Sequence, residues 1–470
     1  MTTLLALAAA IVFIVIATAR WKVHAYLALL LAALGFGIAA GLPPVQVVDA
    51  ANQGFGTTIG NIGAVVILGA IVGVFLERSG GALRIAEAVL RRTGPRHTPA
   101  ALAGVGYVVS IPVFCDSGFV ILSSLNRALA RRAGATLATG TVALALGLYA
   151  THTLVPPTPG PVAAAGILGA DLGLVIAIGL VIAALALVPG WLFATRVASR
   201  TWIDPAAGTA GEAPTAVTAS TAVSGTTAAA GAGAATGAST AAAAPGVLHA
   251  CVPIVVPLVL IVLGSVAALP ARPFGTGTTS ATLAFLGKPT IALLVGAALA
   301  LTLPRRFALA SLSQEGWAGE AIRATALVLV VTGAGGAFAG VLAKTDVGTQ
   351  LGRLVADVGG SWGVLIPFAI AALIKTAQGS STVSMITTAG IVLPILPALG
   401  LDGPTERALT TVAIGAGAMV VSHANDSYFW IVTQFSGMTP RQGFLLHTVG
   451  TLVQGLSAGL LVWVAALLLV

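Results

Sequence analysis

Asp116, His152, Lys375, His423 and Asp426 interrupt long apolar runs. An ionisable group at membrane depth is costly, so each is a functional candidate by default. All five fall in short polar clusters: IPVFCDSG (Ile111–Gly118), THTLVPPTPGP (Thr151–Pro161), AALIKTAQGSSTVSMITTAG (Ala371–Gly390) and SHAND (Ser422–Asp426). Asp116, beside Ser117, could take and release a proton, or could cap backbone at a hairpin tip. Lys375 could pair with an anionic solute or with Asp116, or could run along a hairpin arm to the interface. Gln378, Gly379, Ser380, Ser381 and Thr382 would break a helix, leaving N–H groups and hydroxyls that suit a carboxylate. His152 and His423 hold matching places, each at the start of a break, and histidine relays protons near physiological pH. Asn425 and Asp426 could bind hydroxyls or a proton, and Asp426 could equally cap the short helix after it.

The elements that must position these groups are membrane helices. The chain has 470 residues, 57% of them hydrophobic and 8% charged, with a mean hydropathy of +1.03. That composition excludes a soluble domain of this size, and apolar runs of about 18 residues or more are read as spans. The net charge of +8 lies between the runs, where basic residues set topology, so it is not a nucleic-acid footprint. Cys115 and Cys251 lack metal-ligand spacing, and neither a disulfide, a metal nor a cofactor is expected. Arg20 and Lys22 follow the first apolar run, the reverse of a signal peptide, so its N-terminus is placed outside.

The spans are drawn at 4–19, 23–40 and 59–77, followed by a basic amphipathic segment, Arg78–His97. The next apolar run is basic at both ends, so it enters and returns as a re-entrant hairpin at about 100–126. A discontinuous helix at about 135–170 is broken by Pro156, Pro157, Pro159 and Pro161, and a span at 172–195 ends the first repeat, 1–200. Residues 201–246 read as a flexible linker, almost wholly Ala, Thr, Gly and Ser from Pro205 to Gly246. The second repeat, 247–470, has spans at 248–270 and 286–303, then an amphipathic segment with Arg305, Arg306 and Arg323. A span at 325–343, a hairpin at about 361–400, a broken helix at about 408–436 and a span at 443–470 complete it. Gly336–Gly348 echoes Gly69–Gly80 at an offset of 267, and the same offset carries the first hairpin tip onto the second. Each repeat then has five crossings and one hairpin. Five is odd, so the expected fold is an all-α polytopic protein of two inverted repeats, both termini external and the solute held near the midplane.

Four segments carry a family resemblance: IPVFCDSGFVIL, THTLVPPTPGPVAAAGILGADLG, KTAQGSSTVSMITTAGIV and SHANDSYFWIVTQFSGMT. With GAIVGVFLERSG, they make the chain similar to the gluconate permease family, the gluconate:proton symporters of the ion-transporter superfamily. The resemblance implies a proton-coupled importer of gluconate or a related sugar acid or small hydroxy-carboxylate in a bacterial inner membrane. It also implies a homodimer with elevator-type movement. By motif, the family's polar positions fall on Asp116, Ser117, His152, Lys375, Ser380, Ser381, Thr382, His423, Asn425 and Asp426. A sodium-coupled carboxylate transporter is the alternative, because tips rich in Ser, Thr and Asn could coordinate sodium. An intramembrane hydrolase using Ser380 or Ser381 with His423 is a third reading, but a duplicated architecture gives no reason for a single catalytic centre. The expected protein is therefore a transporter and not an enzyme.

Overall fold

A computed structural model describes residues 2–91, 97–205, 244–268, 273–275, 277–347, 350 and 362–470. Most of the expected linker, 206–243, and Arg92, Arg96 and Ser361 lie outside the described residues. Among the described residues there is no strand, and six helices are long and apolar enough to cross a membrane, seven if one bent pair counts as a span. The protein is an all-α polytopic membrane protein.

The first part of the chain forms α1 (Thr2–Ala19), α2 (Ala25–Ala39), α3 (Pro44–Arg78) and the amphipathic α4 (Gly81–Arg91). A turn at Ser110–Phe114 joins α5 (Thr98–Val109) to α6 (Cys115–Ala133). Then come α7 (Leu137–Leu154), α8 (Pro159–Leu168) and α9 (Leu172–Arg196). After the linker, α10 (Val247–Ala267) leads to α11 (Thr278–Leu286) and α12 (Pro289–Ala300), which are bent by 68° to one another, and to α13 (Trp317–Leu342). A turn at Gly379 separates α14 (Leu365–Gln378) from α15 (Ser381–Val392). Next, α16 (Pro404–Met419) is parted from α17 (Ser427–Phe435) by Val420–Asp426. A π-helical turn, Phe444–Thr448, then opens the last helix, α18 (Val449–Leu469).

Local chemistry explains several of these boundaries. Thr136 and Asp171 cap α7 and α9 by accepting the N–H groups of Ala138 and Leu174. Between α7 and α8, Pro156, Pro157 and Pro159 remove three backbone donors in four residues, so the helix cannot continue. Two boundaries differ from the sequence expectation. Helix α3 begins at Pro44 and not at 59, because Asn52, Gln53 and Thr57 are exposed polar residues on an unbroken helix, where a hydropathy pattern registers only the apolar half. The expected amphipathic segment with Arg305, Arg306 and Arg323 is not one element. Its first part holds turns and a short 3-10 helix, Leu309–Leu312, and Arg323 belongs to α13.

The packing is mirrored between the two parts of the chain. Helix α1 packs on α2 and α10 on α12; α5 packs on α7 and α14 on α16; α7 packs on α9 and α16 on α18. Across the parts, α2 packs on α13 and α12 on α3, while α15 packs on α8 and α6 on α17. At the centre α3 and α13 cross antiparallel. Gly54 lies against Gly336 and Gly340, and at the far end Arg78 bonds Glu320 with both carboxylate oxygens, at 2.6 and 3.1 Å. A Cβ at Gly54 would strike the Gly336 carbonyl, so the two backbones touch only because both residues are glycine.

Candidate functional site

Both turns and both breaks meet at one place. Phe114 of the first turn lies 6.2 Å from the His152 ring near the end of α7, and Gly160 of α8 abuts Thr382 and Met385 of α15. Gly379 of the second turn has φ +94° and sits against the Asn425 carbonyl, where any side chain would collide. Glycine is therefore required at that tip for both its conformation and its lack of a Cβ. Four helix N-termini, those of α6, α8, α15 and α17, begin at these turns and breaks, and each bears the positive end of a helix dipole, with Ser380 and Asp426 capping the last two.

Lys375 lies at the centre. Its side chain has no exposed surface, and Nζ donates to Asp426 Oδ2 at 2.6 Å and to the Gly379 carbonyl. It therefore neither runs to the interface nor pairs with Asp116. Its partner comes from the second break, 51 residues on in the chain. Asp426 is satisfied on every side. Oδ2 also accepts from Ser422 Oγ at 2.5 Å and from the Tyr149 hydroxyl at 3.4 Å, while Oδ1 accepts the Tyr428 N–H and so caps α17. The cap reading of Asp426 is thus realised, and the same carboxylate also holds an ion pair that the sequence reading did not include. A buried pair of this kind holds only with such added bonds, because desolvating two charges outweighs an isolated attraction.

The other expected residues divide by what their side chains touch. Asn425 and His423 hold the second turn in place: Asn425 Nδ2 donates to the Thr376 and Ala377 carbonyls, and a His423 ring nitrogen lies 2.9 Å from Thr376 O. Ser380 caps α15 through the Val383 N–H, and Ser381 meets the Tyr149 hydroxyl. Asp116 and Ser117 lie in the first turn of α6, whose N-cap position is Phe114, so Asp116 does not cap the tip. It is near enough to feel the charges of Asp426 and Lys375. Three buried polar atoms here lack a protein partner: His152 Nδ1, Gln378 Nε2 and Asn425 Oδ1. Unpaired buried polar atoms are costly, so these three are conspicuous beside the satisfied Lys375–Asp426 pair.

Sequence reasoning missed Tyr149, Tyr428, Ser422 and His447. Tyr149 and Tyr428 stack with ring centroids 5.2 Å apart, and the Tyr428 hydroxyl donates to the Ala145 carbonyl. His447 lies in the π-helical turn, fully buried, with Nε2 3.1 Å from Ser422 Oγ. The signal for His447 was present, a lone histidine in the apolar run 443–470. The tyrosines gave none, since an uncharged aromatic residue does not interrupt an apolar run.

An all-helical, multi-pass chain whose buried polar groups gather where helices are interrupted has the build of a membrane permease. A family model described as GntP family permease matches residues 2–468, and the chain belongs to that family. It is 32% identical over 440 residues to a gluconate permease of Pseudomonas aeruginosa, covering 93% of this chain and 92% of that one. It is 29% identical over 453 residues to the D-serine transporter DsdX of Escherichia coli, covering 95% and 94%. Its fold is similar to the solved structure of MtrF of Neisseria gonorrhoeae, with a TM-score of 0.63 and 14% identity over 97% of both chains. The protein is a permease and not an enzyme, which removes the hydrolase reading. In agreement, the His423 ring nitrogen is engaged by backbone and the Ser380 hydroxyl by its cap.

Proposed function

We propose that the protein is a proton-coupled secondary transporter that brings gluconate, or a related sugar acid or small hydroxy-carboxylate, across a bacterial inner membrane. The observation that carries this reading is the convergence of two helix turns, two helix breaks and three unpartnered polar atoms on the Lys375–Asp426 pair. The N–H groups at the tips suit a carboxylate, and His152, Gln378 and Asn425 offer donors and acceptors for hydroxyls. In this reading Ser117, His152, Lys375, Gln378, Gly379, Ser380, Ser381, Thr382, His423 and Asn425 form or frame the solute site. Asp116 and Asp426, with His152 and His423, exchange the proton. Two relatives carry solutes that contain a carboxylate and at least one hydroxyl, gluconate and D-serine, which favours that shared chemistry.

Sodium coupling is less favoured because the Lys375 ammonium already occupies the oxygen set that a cation would take, the Gly379 carbonyl and the Asp426 carboxylate. Inverted repeats are supported by the mirrored packing and by the antiparallel crossing of α3 and α13. A homodimer and elevator-type movement belong to the same proposal. The test is uptake of labelled gluconate by purified protein in liposomes, with and without an inward proton gradient, in sodium-free buffer and against competing hydroxy acids. Gradient-driven uptake without sodium is expected. Uptake that requires sodium would overturn the coupling, and no uptake of any hydroxy acid would overturn the substrate class.

A further inference from the structure

His447 is a buried histidine that neither the turns nor the breaks explain. It sits in the single π-helical turn among the described residues, Phe444–Thr448, and π-turns inside helices recur at functional positions. Its Nε2 is 3.1 Å from Ser422 Oγ, and that hydroxyl is 2.5 Å from Asp426 Oδ2. Its Nδ1 is buried without a protein partner. Ser422 is fixed independently: its N–H donates to Thr451 Oγ1 and its carbonyl accepts from Thr448 Oγ1. The groups facing His447 are Asp426 and Lys375 beyond Ser422, Tyr428 of α17 with its ring 5.3 Å away, and Tyr149 of α7 stacked behind Tyr428. Within one turn of the buried His447, Phe444 and Leu445 are exposed.

We propose that His447 relays the transported proton to Asp426 through the Ser422 hydroxyl, an inference that rests on the proton-coupled reading above. The steps balance. A proton from solvent binds Nδ1 of the neutral ring, Nε2 releases its own proton to Ser422 Oγ, and Ser422 passes its hydroxyl proton to Asp426 Oδ2. Asp426 becomes a neutral acid, which weakens its hold on Lys375. The imidazole is left neutral with its proton on Nδ1, and the reverse sequence or a turn of the ring resets it.

The test separates net proton movement from solute movement. Gradient-driven gluconate uptake requires a proton to cross, whereas counterflow at equal pH on both sides does not. His447→Gln keeps a hydrogen-bonding group beside Ser422 but cannot be protonated. It is expected to lower gradient-driven uptake at least about tenfold while counterflow changes less than about threefold. Ser422→Ala, which also takes a hydrogen bond from Asp426, should lower gradient-driven uptake, and Ser422→Thr, which keeps the hydroxyl, should restore it. Equal loss of both activities in His447→Gln, or loss of neither, would overturn the relay. Wild-type net uptake that is the same with and without the proton gradient would instead overturn proton coupling, and the relay with it.

Discussion

Lys375 and Asp426 each have a partner that makes burial tolerable, so removing either strands a buried charge. Lys375→Met and Asp426→Asn are each expected to destabilise the protein by about 3–5 kcal/mol, read as a fall in melting temperature in detergent. The double variant leaves no stranded charge and should lose less than the sum of the two. A double variant that loses the full sum would show that the pair is not coupled. Uptake should be lost in all three. That these residues carry charge into apolar surroundings was legible from sequence, because a charge in an apolar run is conspicuous. Which charge meets which was not. Asp116 was the carboxylate offered to Lys375 by the sequence reading, and only the folding of the second turn onto the second break brings it to Asp426. Tyr149 and Ser422, which complete the pair's surroundings, belong to residue types that apolar segments contain freely.

The short helices α8 and α17 pose a problem at the scale of the element. Each follows a break, and each ends with carbonyls that no longer have a helical partner. Both ends are held by an arginine from the other part of the chain. Arg407 at the start of α16 donates to Leu168 O at 2.5 Å, and Arg127 of α6 donates to Phe435 O at 2.8 Å. A hydrogen bond from a charged donor contributes about 1.5–3 kcal/mol, so Arg407→Gln should loosen α8 by up to about that amount. Hydrogen–deuterium exchange should then quicken over Pro159–Leu168 and stay unchanged over Ser427–Phe435. Arg127→Gln should give the opposite pattern. Exchange that quickens in neither helix would show the arginines to be idle. The breaks themselves were legible, because clustered proline and SHAND cannot continue a helix. The early start of α3 was not, since a helix that carries polar residues outside the apolar core leaves no hydropathy signal there.

For the whole molecule, contacts between element ends sort into two groups that fit opposite faces of a membrane. Arg78 meets Glu320, Arg127 meets Phe435 and Arg131 meets Pro205 on one face; Leu168 meets Arg407 on the other. Under the proposed inverted topology the first group is cytoplasmic. With Cys115 and Cys251 replaced, an impermeant maleimide applied to intact cells should label Asp171→Cys and Asp402→Cys but not Arg132→Cys or Arg305→Cys, all four positions being exposed. Labelling of all four, or the reverse set, would overturn the topology. The succession of turn, break and long helix was legible from the sequence, whereas nothing in the pattern showed that Gly54 would meet Gly336 and let α3 cross on α13. The arginine bond to α8 also sets an order in time. Leu168 and Arg407 are 239 residues apart, and a ribosome adding 5–20 residues per second needs roughly 10–50 s to cover that distance. For that interval the end of α8 has only water to satisfy it, so the first break cannot settle until the second half has been made and inserted.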